Sequence, residues 1–210
     1  MSLTIEGLRA IVFDVDNSLI SCDSSDELIL AILRRYNADG TDEQLMTMIG
    51  DANSDWMIME RALPAESRLA AYAEVMATNL ELARQSDCAV ELRAVLRDLA
   101  RRYPLFIVSG RDTGSIRAAM HAHGLSDVFV DVVGADPGDR EKPDPATLVA
   151  VLQKHGIKPA AAVYVGDKLV DVQLAEAAGT QFVCAAWYED LLPDAPIKAR
   201  SISEFASLFE

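Results

Sequence analysis

Two aspartates one residue apart, Asp14 and Asp16, close the apolar run "AIVFDVD". Ser109 and Gly110 close "PLFIVSG", Lys142 stands in "EKPDP", and Asp167 closes "AAVYVGD" with Asp171 four residues on. Carboxylates brought together repel: at an effective dielectric of ~20, two unit charges ~4 Å apart cost roughly 4 kcal/mol. A cluster of four therefore calls for a cation. All-oxygen ligands without His or Cys favour a hard ion, and Mg²⁺ is the obvious choice. Mg²⁺ usually keeps waters or takes a phosphate oxygen. The Ser109 hydroxyl and the Lys142 ammonium suit the oxygens of a transferring phosphoryl group. One carboxylate can attack phosphorus, and another, two residues on, can protonate the leaving oxygen and then activate water.

Positioning these groups falls to a series of short apolar runs: "AIVFDVD", "PLFIVSG", "VFVDVVG", "AAVYVGD" and "QFVCAAW". They are rich in Val, Ile and Phe and of strand length. Most lack clean alternation, which predicts burial on both faces. Between them lie helix-like stretches, "SIRAAMHAHG", "PATLVAVLQKHG" and "LVDVQLAEAAG", each stopped by a glycine. Alternating strand and helix predicts an α/β fold, a Rossmann-like parallel sheet with helices on both faces. Ligands bind such sheets beyond the carboxyl ends of the strands, where Asp14, Asp16, Ser109, Gly110 and Asp167 stand. Asp171 shares a helix face with Asp167. Pro143 holds Lys142 extended, Asp144 caps the next helix and Pro145 opens it.

Residues 24–86 break the rhythm. Periods near three and four dominate, as in "DELILAILRRY" and "ESRLAAYAEVMATNLELARQ", which predicts a helical insertion after the first strand. Five of the seven methionines fall there (Met46, Met48, Met57, Met59 and Met76), as ordinary helical core in preference to an adaptable surface. "MIGDANSDW" reads as a helix end at Gly50, a loop, and a new helix capped by Asn53 or Ser54. That loop is placed to face the site and choose a substrate, while Trp56 is read first as packing. Residues 21–87 carry thirteen acidic residues, five arginines and no lysine, a net charge of -8. Recognition of an anion must then come from the metal and local donors, with Arg34, Arg35, Arg61 and Arg68 as candidates.

Half of the 210 residues are apolar, enough for a substantial core. The net charge of -14 disfavours nucleic acid and anionic membranes as partners. Cys22, Cys88 and Cys184 are an odd number without metal-site spacing, which predicts inert thiols in a reducing compartment. No run reaches the ~18 apolar residues of a membrane span, and no signal peptide is evident. The expected location is cytoplasmic. His121, His123 and His155 lie away from strand ends and receive no catalytic role.

Four motifs in order, "DVDNSL" at 14–19, "IVSG" at 107–110, "KPDP" at 142–145 and "GDKLVD" at 166–171, resemble those of the haloacid dehalogenase superfamily. The resemblance covers essentially the whole chain, and is nearest to the phosphoglycolate phosphatase-like and β-phosphoglucomutase-like branches with a small helical cap. It implies a core of residues 1–20 and 88–210 and a substrate-selecting cap of residues 21–87. Asp14 would be nucleophile and Mg²⁺ ligand. Asp16 would be the acid/base, its carbonyl also on the metal. Ser109, Gly110 and Lys142 would hold the phosphoryl group, Asp167 would ligate Mg²⁺, and Asp171 would support the site. Asn17 replaces a glycine common in relatives, and tolerates left-handed backbone better than most residues. Ser18 replaces threonine, and Lys168 a small hydroxyl residue, where it can pair with a carboxylate or reach the substrate. Asp16, absent from true dehalogenases, favours phosphoryl chemistry over carbon–halogen hydrolysis. The expected function is a Mg²⁺-dependent phosphatase of a small phosphorylated metabolite, acting as monomer or homodimer. The alternatives are a phosphomutase and a non-enzymatic phospho-accepting signalling module. Arg111 is read as half of an ion pair, with Asp112 or another acidic neighbour, ahead of a phosphate contact.

Overall fold

A computed structural model of the chain describes residues 7–21, 25–138 and 140–210. Six strands among them form one parallel sheet: β1 (Ala10–Phe13), β2 (Leu105–Val108), β3 (Asp131–Val133), β4 (Ala162–Gly166), β5 (Gln181–Ala185) and β6 (Lys198–Ala199). Their order is β3-β2-β1-β4-β5-β6, and every pairing is parallel. The five apolar runs supply β1 to β5. β6, a two-residue edge strand, has no such signature.

The missing alternation follows from burial on both faces. Ile11, Phe13, Leu105, Ile107, Val163 and Val165 enter one core, while Ala10, Val12, Phe106, Val108, Ala162 and Tyr164 enter another. Successive side chains on a strand point to opposite faces, so each apolar run feeds both cores. The first core is covered by α5 (Val90–Ala100), α6 (Thr113–Ala122) and α9 (Ile202–Ser207), and the second by α7 (Ala146–Lys154) and α8 (Leu169–Ala178). Leu92, Leu96 and Leu99 of α5 are fully buried, each contributing about 1.5–3 kcal/mol relative to exposure.

The helix stops sit where expected. Gly124, Gly156 and Gly179 adopt left-handed backbone at φ 66°, 67° and 74°. The start of α7 is displaced by one residue from the sequence reading. Pro145 occupies the cap position, and Asp144 Oδ1 accepts the Ala146 N–H from one residue further out.

Between β1 and α5 the described residues form four helices: α1 (Asp26–Arg35), α2 (Asp42–Gly50), α3 (Asp55–Ala62) and α4 (Ala65–Gln85). They enclose a third core built around Ile29, Leu33, Leu45, Met59, Tyr72 and Val75. Met46, Met48 and Met76 pack against it, whereas Met57, also expected in the core, does not; Trp56 meets Tyr72 edge-on at 5.4 Å, the packing role expected of it. The outgoing and returning segments meet at an isolated bridge. Ser21 and Asp87 each donate a backbone N–H to the other's carbonyl at 2.8 Å. Cys88 and Cys184 are buried free thiols, which burial pushes up to about 11; Cys22 lies outside the described residues. Among the described residues, no helix is long and apolar enough to cross a membrane.

Candidate active site

β1 lies between β2 and β4, so the loops after these three strands open into the crevice at the sheet's centre, the usual ligand position in this architecture. The Asp14 N–H donates to Val165 at 2.8 Å, continuing the β1–β4 ladder into the loop. The chain then turns sharply: Leu19 and Ile20 both donate to the Val15 carbonyl. Asn17 takes φ 53°, the left-handed backbone the turn demands. Asp14 is thereby fixed to the sheet, and Asp16 projects into the same crevice.

Lys142 reaches the crevice from the loop before α7. Its ammonium donates to Asp14 Oδ1 at 2.6 Å and to Asp171 Oδ1 at 2.8 Å. It also lies 5.2 Å from the centre of the Tyr164 ring. Burial alone would discharge this lysine, but Asp14 and Asp171 hold its ammonium well above its ordinary value. Asp171 spends its second oxygen on the backbone, accepting the N–H groups of Asp167 and Lys168 at 3.2 and 3.1 Å. Gly166 makes that packing possible, because a Cβ there would lie 2.5 Å from Asp171 Oδ2.

Oxygens of Asp14, Asp167 and Asp171 all lie within 4.8 Å of one another. At that separation each pair of charges repels by roughly 3–4 kcal/mol at an effective dielectric of ~20. With Lys142 as the one ammonium bonded to them, these three carboxylates keep two negative charges in excess, and Lys168 acts on Asp167 only through its field. Asp167 shows the excess most plainly. It is fully buried, and neither carboxylate oxygen has a hydrogen-bond partner among the described residues. Burial, with Asp14 and Asp171 beside it, pushes its carboxyl up to about 7. Burial likewise raises Asp14, against the pull of Lys142. Two orphaned buried oxygens beside two further carboxylates suit a hard divalent cation.

Above this floor is a cavity of about 320 Å³. Ser109 and Gly110 line it from the end of β2, and Lys168 from the start of α8. Arg111 grips Asp16 with two nitrogens, Nη2 at 2.7 Å and Nε at 3.1 Å. The roof comes from the inserted helices. The Asn53 carbonyl packs so closely over Gly110 that a Cβ there would come within 2.2 Å of it. Asn53 Nδ2 donates to the Lys142 carbonyl at 3.0 Å, and Ser54 donates to Glu141. Asp55 and Asn79 complete the roof, with Asn79 Nδ2 donating to Asp55 Oδ2 at 2.5 Å. Burial pushes the Asp55 carboxyl up to about 6, opposed by Asn79 and Arg111.

The model of the haloacid dehalogenase-like hydrolase family matches residues 11–185. The chain belongs to this family. Phosphoglycolate phosphatase of Photobacterium profundum is 30% identical over 82% of this chain and 81% of its own. That of Rhodospirillum rubrum is 37% identical, over 52% of this chain and 46% of its own, about half of each. CbbY of Rhodobacter sphaeroides, solved in complex with phosphate, superposes with a TM-score of 0.74 at 17% identity, covering 96% of this chain and 99% of that one. A subfamily IA hydrolase of Geobacter sulfurreducens gives 0.64 at 24% identity over the whole of both chains. The chain is thus a haloacid dehalogenase-like hydrolase that groups with phosphatases, which sets aside the signalling module.

In this hydrolase all seven residues singled out from the sequence meet at one end of the sheet. Arg111 forms the expected ion pair, though with Asp16 and not Asp112. The arginine candidates are corrected. Arg34 pairs with Asp42, Arg35 with Glu74, Arg68 binds the carbonyls of Leu63 and Glu60, and exposed Arg61 does not line the cavity. The three histidines also lie outside the cavity lining. Two roof residues were missed, Asp55 and Asn79. Their signal was faint: Asn79 is one polar residue inside a long helix, 3% exposed.

Replacing Gly110 with alanine should push the Asn53 loop off the core. Amide exchange over residues 50–56 should then accelerate by at least about tenfold while the sheet keeps its protection. Unchanged exchange there would show that the roof does not depend on this contact.

Proposed function

We propose that this hydrolase is a Mg²⁺-dependent phosphatase of small phosphate monoesters that works through a phosphorylated Asp14. The observation that carries the reading is the pairing of Asp14 with Lys142 beside the orphaned oxygens of Asp167, under one small cavity. A carboxylate built into the sheet, beside an ammonium that can hold a phosphoryl oxygen, is a nucleophile already in place.

Asp14 attacks phosphorus, forming the acyl–phosphate bond as the bond to the ester oxygen breaks. Asp16 gives that oxygen its proton, and the alcohol leaves. Asp16 then takes a proton from water, which attacks phosphorus and returns Asp14 as a carboxylate with release of inorganic phosphate. Arg111, bound to Asp16 by two nitrogens, fixes where that proton is exchanged. Lys142, the Ser109 hydroxyl and the backbone at Gly110 hold the transferring oxygens. Asp14, Asp167 and the Asp16 carbonyl would hold Mg²⁺, with Asp171 behind them. When bound, the ion supplies the positive charge that lets these carboxylates share a site with an anionic phosphoryl group. Residues 21–87 serve as the cap over core residues 1–20 and 88–210, with the Ser21–Asp87 bridge at its base.

Replacing Asp14 with asparagine should lower phosphate release by ~10³-fold or more. A clean, folded preparation that keeps wild-type rates would reject the nucleophile assignment.

The raised carboxyl of Asp167 gives a second test. Its folded value of about 7 lies above the ordinary 3.8. Between those values the folded protein holds a proton that the unfolded chain has released, so the metal-free protein loses stability as pH rises through this window. Bound Mg²⁺ requires the ionised form, so its stabilising effect should grow as pH rises towards about 7. Thermal unfolding with Mg²⁺ and with EDTA across that range measures it. A Mg²⁺ effect independent of pH would remove Asp167 from the ligand set.

A further inference from the structure

The roof of the cavity has a charge pattern of its own. Among the described residues its ionisable side chains are Asp26 and Asp55, both acidic. The arginines of the inserted helices are committed elsewhere or lie outside the lining. Arg34, Arg35 and Arg84 pair with Asp42, Glu74 and Glu81, and Arg68 binds backbone carbonyls. Among the described residues the cavity's cations all belong to the floor. Lys142 is held by Asp14 and Asp171, and Arg111 grips Asp16. Lys168 sits in the field of Asp167 and Asp14, at the phosphoryl end.

Asp55 is not an incidental surface charge. Buried Asn79 donates to one of its oxygens and so fixes the carboxylate in the roof. The other oxygen accepts no hydrogen bond from a described residue. The remaining roof side chains are neutral, with Asn53 and Ser54 beside Ile29 and Ile58. A leaving group that enters beneath this surface meets an acceptor without a paired cation. A carboxylate there would be repelled by Asp55, on which Arg111 acts only from beyond ion-pair contact, whereas a hydroxyl would donate to Asp55.

We infer that the roof selects an uncharged, hydroxyl-bearing leaving group, that of a sugar or polyol phosphate, and rejects one that carries a carboxylate. Asp55 is the specificity-determining residue, and Asn79 positions it. The inference rests on the phosphatase reading above and concerns only what lies on the far side of the scissile oxygen.

The test compares kcat/KM with Mg²⁺ for glycerol phosphate and a set of pentose and hexose monophosphates against phosphoglycolate. p-Nitrophenyl phosphate, which bears neither a hydroxyl nor a carboxylate, serves as the reference ester. The best polyol ester should exceed phosphoglycolate by at least about tenfold, the scale set by unpaired like charges in a closed site. Relative to the reference ester, Asp55→Asn should narrow that gap by raising phosphoglycolate and lowering the polyol. Because the wild-type comparison needs no variant, a misfolded Asp55→Asn protein leaves the test intact. Phosphoglycolate turned over as well as the best polyol would overturn the inference while leaving the phosphatase reading standing. No metal-dependent release from any ester, the reference included, would bring down both.

Discussion

One buried ammonium organises this molecule. Lys142 joins Asp14 at the end of β1 to Asp171 at the start of α8, and so ties the loop before α7 to the centre of the sheet. Removing one partner of such a buried pair typically costs about 3–5 kcal/mol, because the other charge stays behind uncompensated. Yet one lysine cannot balance three carboxylates. The fold accepts that imbalance at Asp167, whose oxygens are buried without a partner among the described residues. A core selected for stability alone would fill this place with apolar side chains. What the arrangement provides is a site prepared for a cation and for an anionic group beside it.

The inserted helices complete the site from the other side. They have their own core, and the bridge between Ser21 and Asp87 joins the two segments at their base. Contact with the floor is made by Asn53, over Gly110 and onto the Lys142 carbonyl, and by Ser54 onto the Glu141 carboxylate. The insertion carries a net charge of -8. It does shape the cavity, where Lys142, Arg111 and Lys168 line the floor and Asp55 and Asn79 the roof.

Much of this was legible in the sequence because the relevant signals are local. Strands β1 to β5 showed as apolar runs, since burial on both faces leaves no room for polar alternation. The catalytic candidates stood at strand ends, which parallel topology gathers at one edge. Asn17 in left-handed backbone and Ser54 capping α3 followed from the conformational habits of single residues. What was not legible depended on long-range partners. β6 is two residues long, and its place is set by pairing with β5. Arg111 meets Asp16 across 95 residues of chain, so the sequence pointed to an ion pair but could not say which acidic neighbour would complete it. Asp55 and Asn79 acquire a role only when α3 and α4 pack together. The insertion's arginines looked available for a substrate because their local ion pairs and carbonyl contacts leave little trace in the sequence.

Transfer of the phosphoryl group to Asp14 and then to water is two displacements at phosphorus, and direct attack by water is one. The stereochemical course separates them without any variant enzyme. The phosphoryl group of a monoester made chiral at phosphorus with three oxygen isotopes would be transferred to a simple alcohol that replaces part of the water, and the configuration of the new monoester read. This account predicts net retention, one inversion at Asp14 and a second at the acceptor. Net inversion would contradict it, leaving Asp14 as a bystander in a direct displacement.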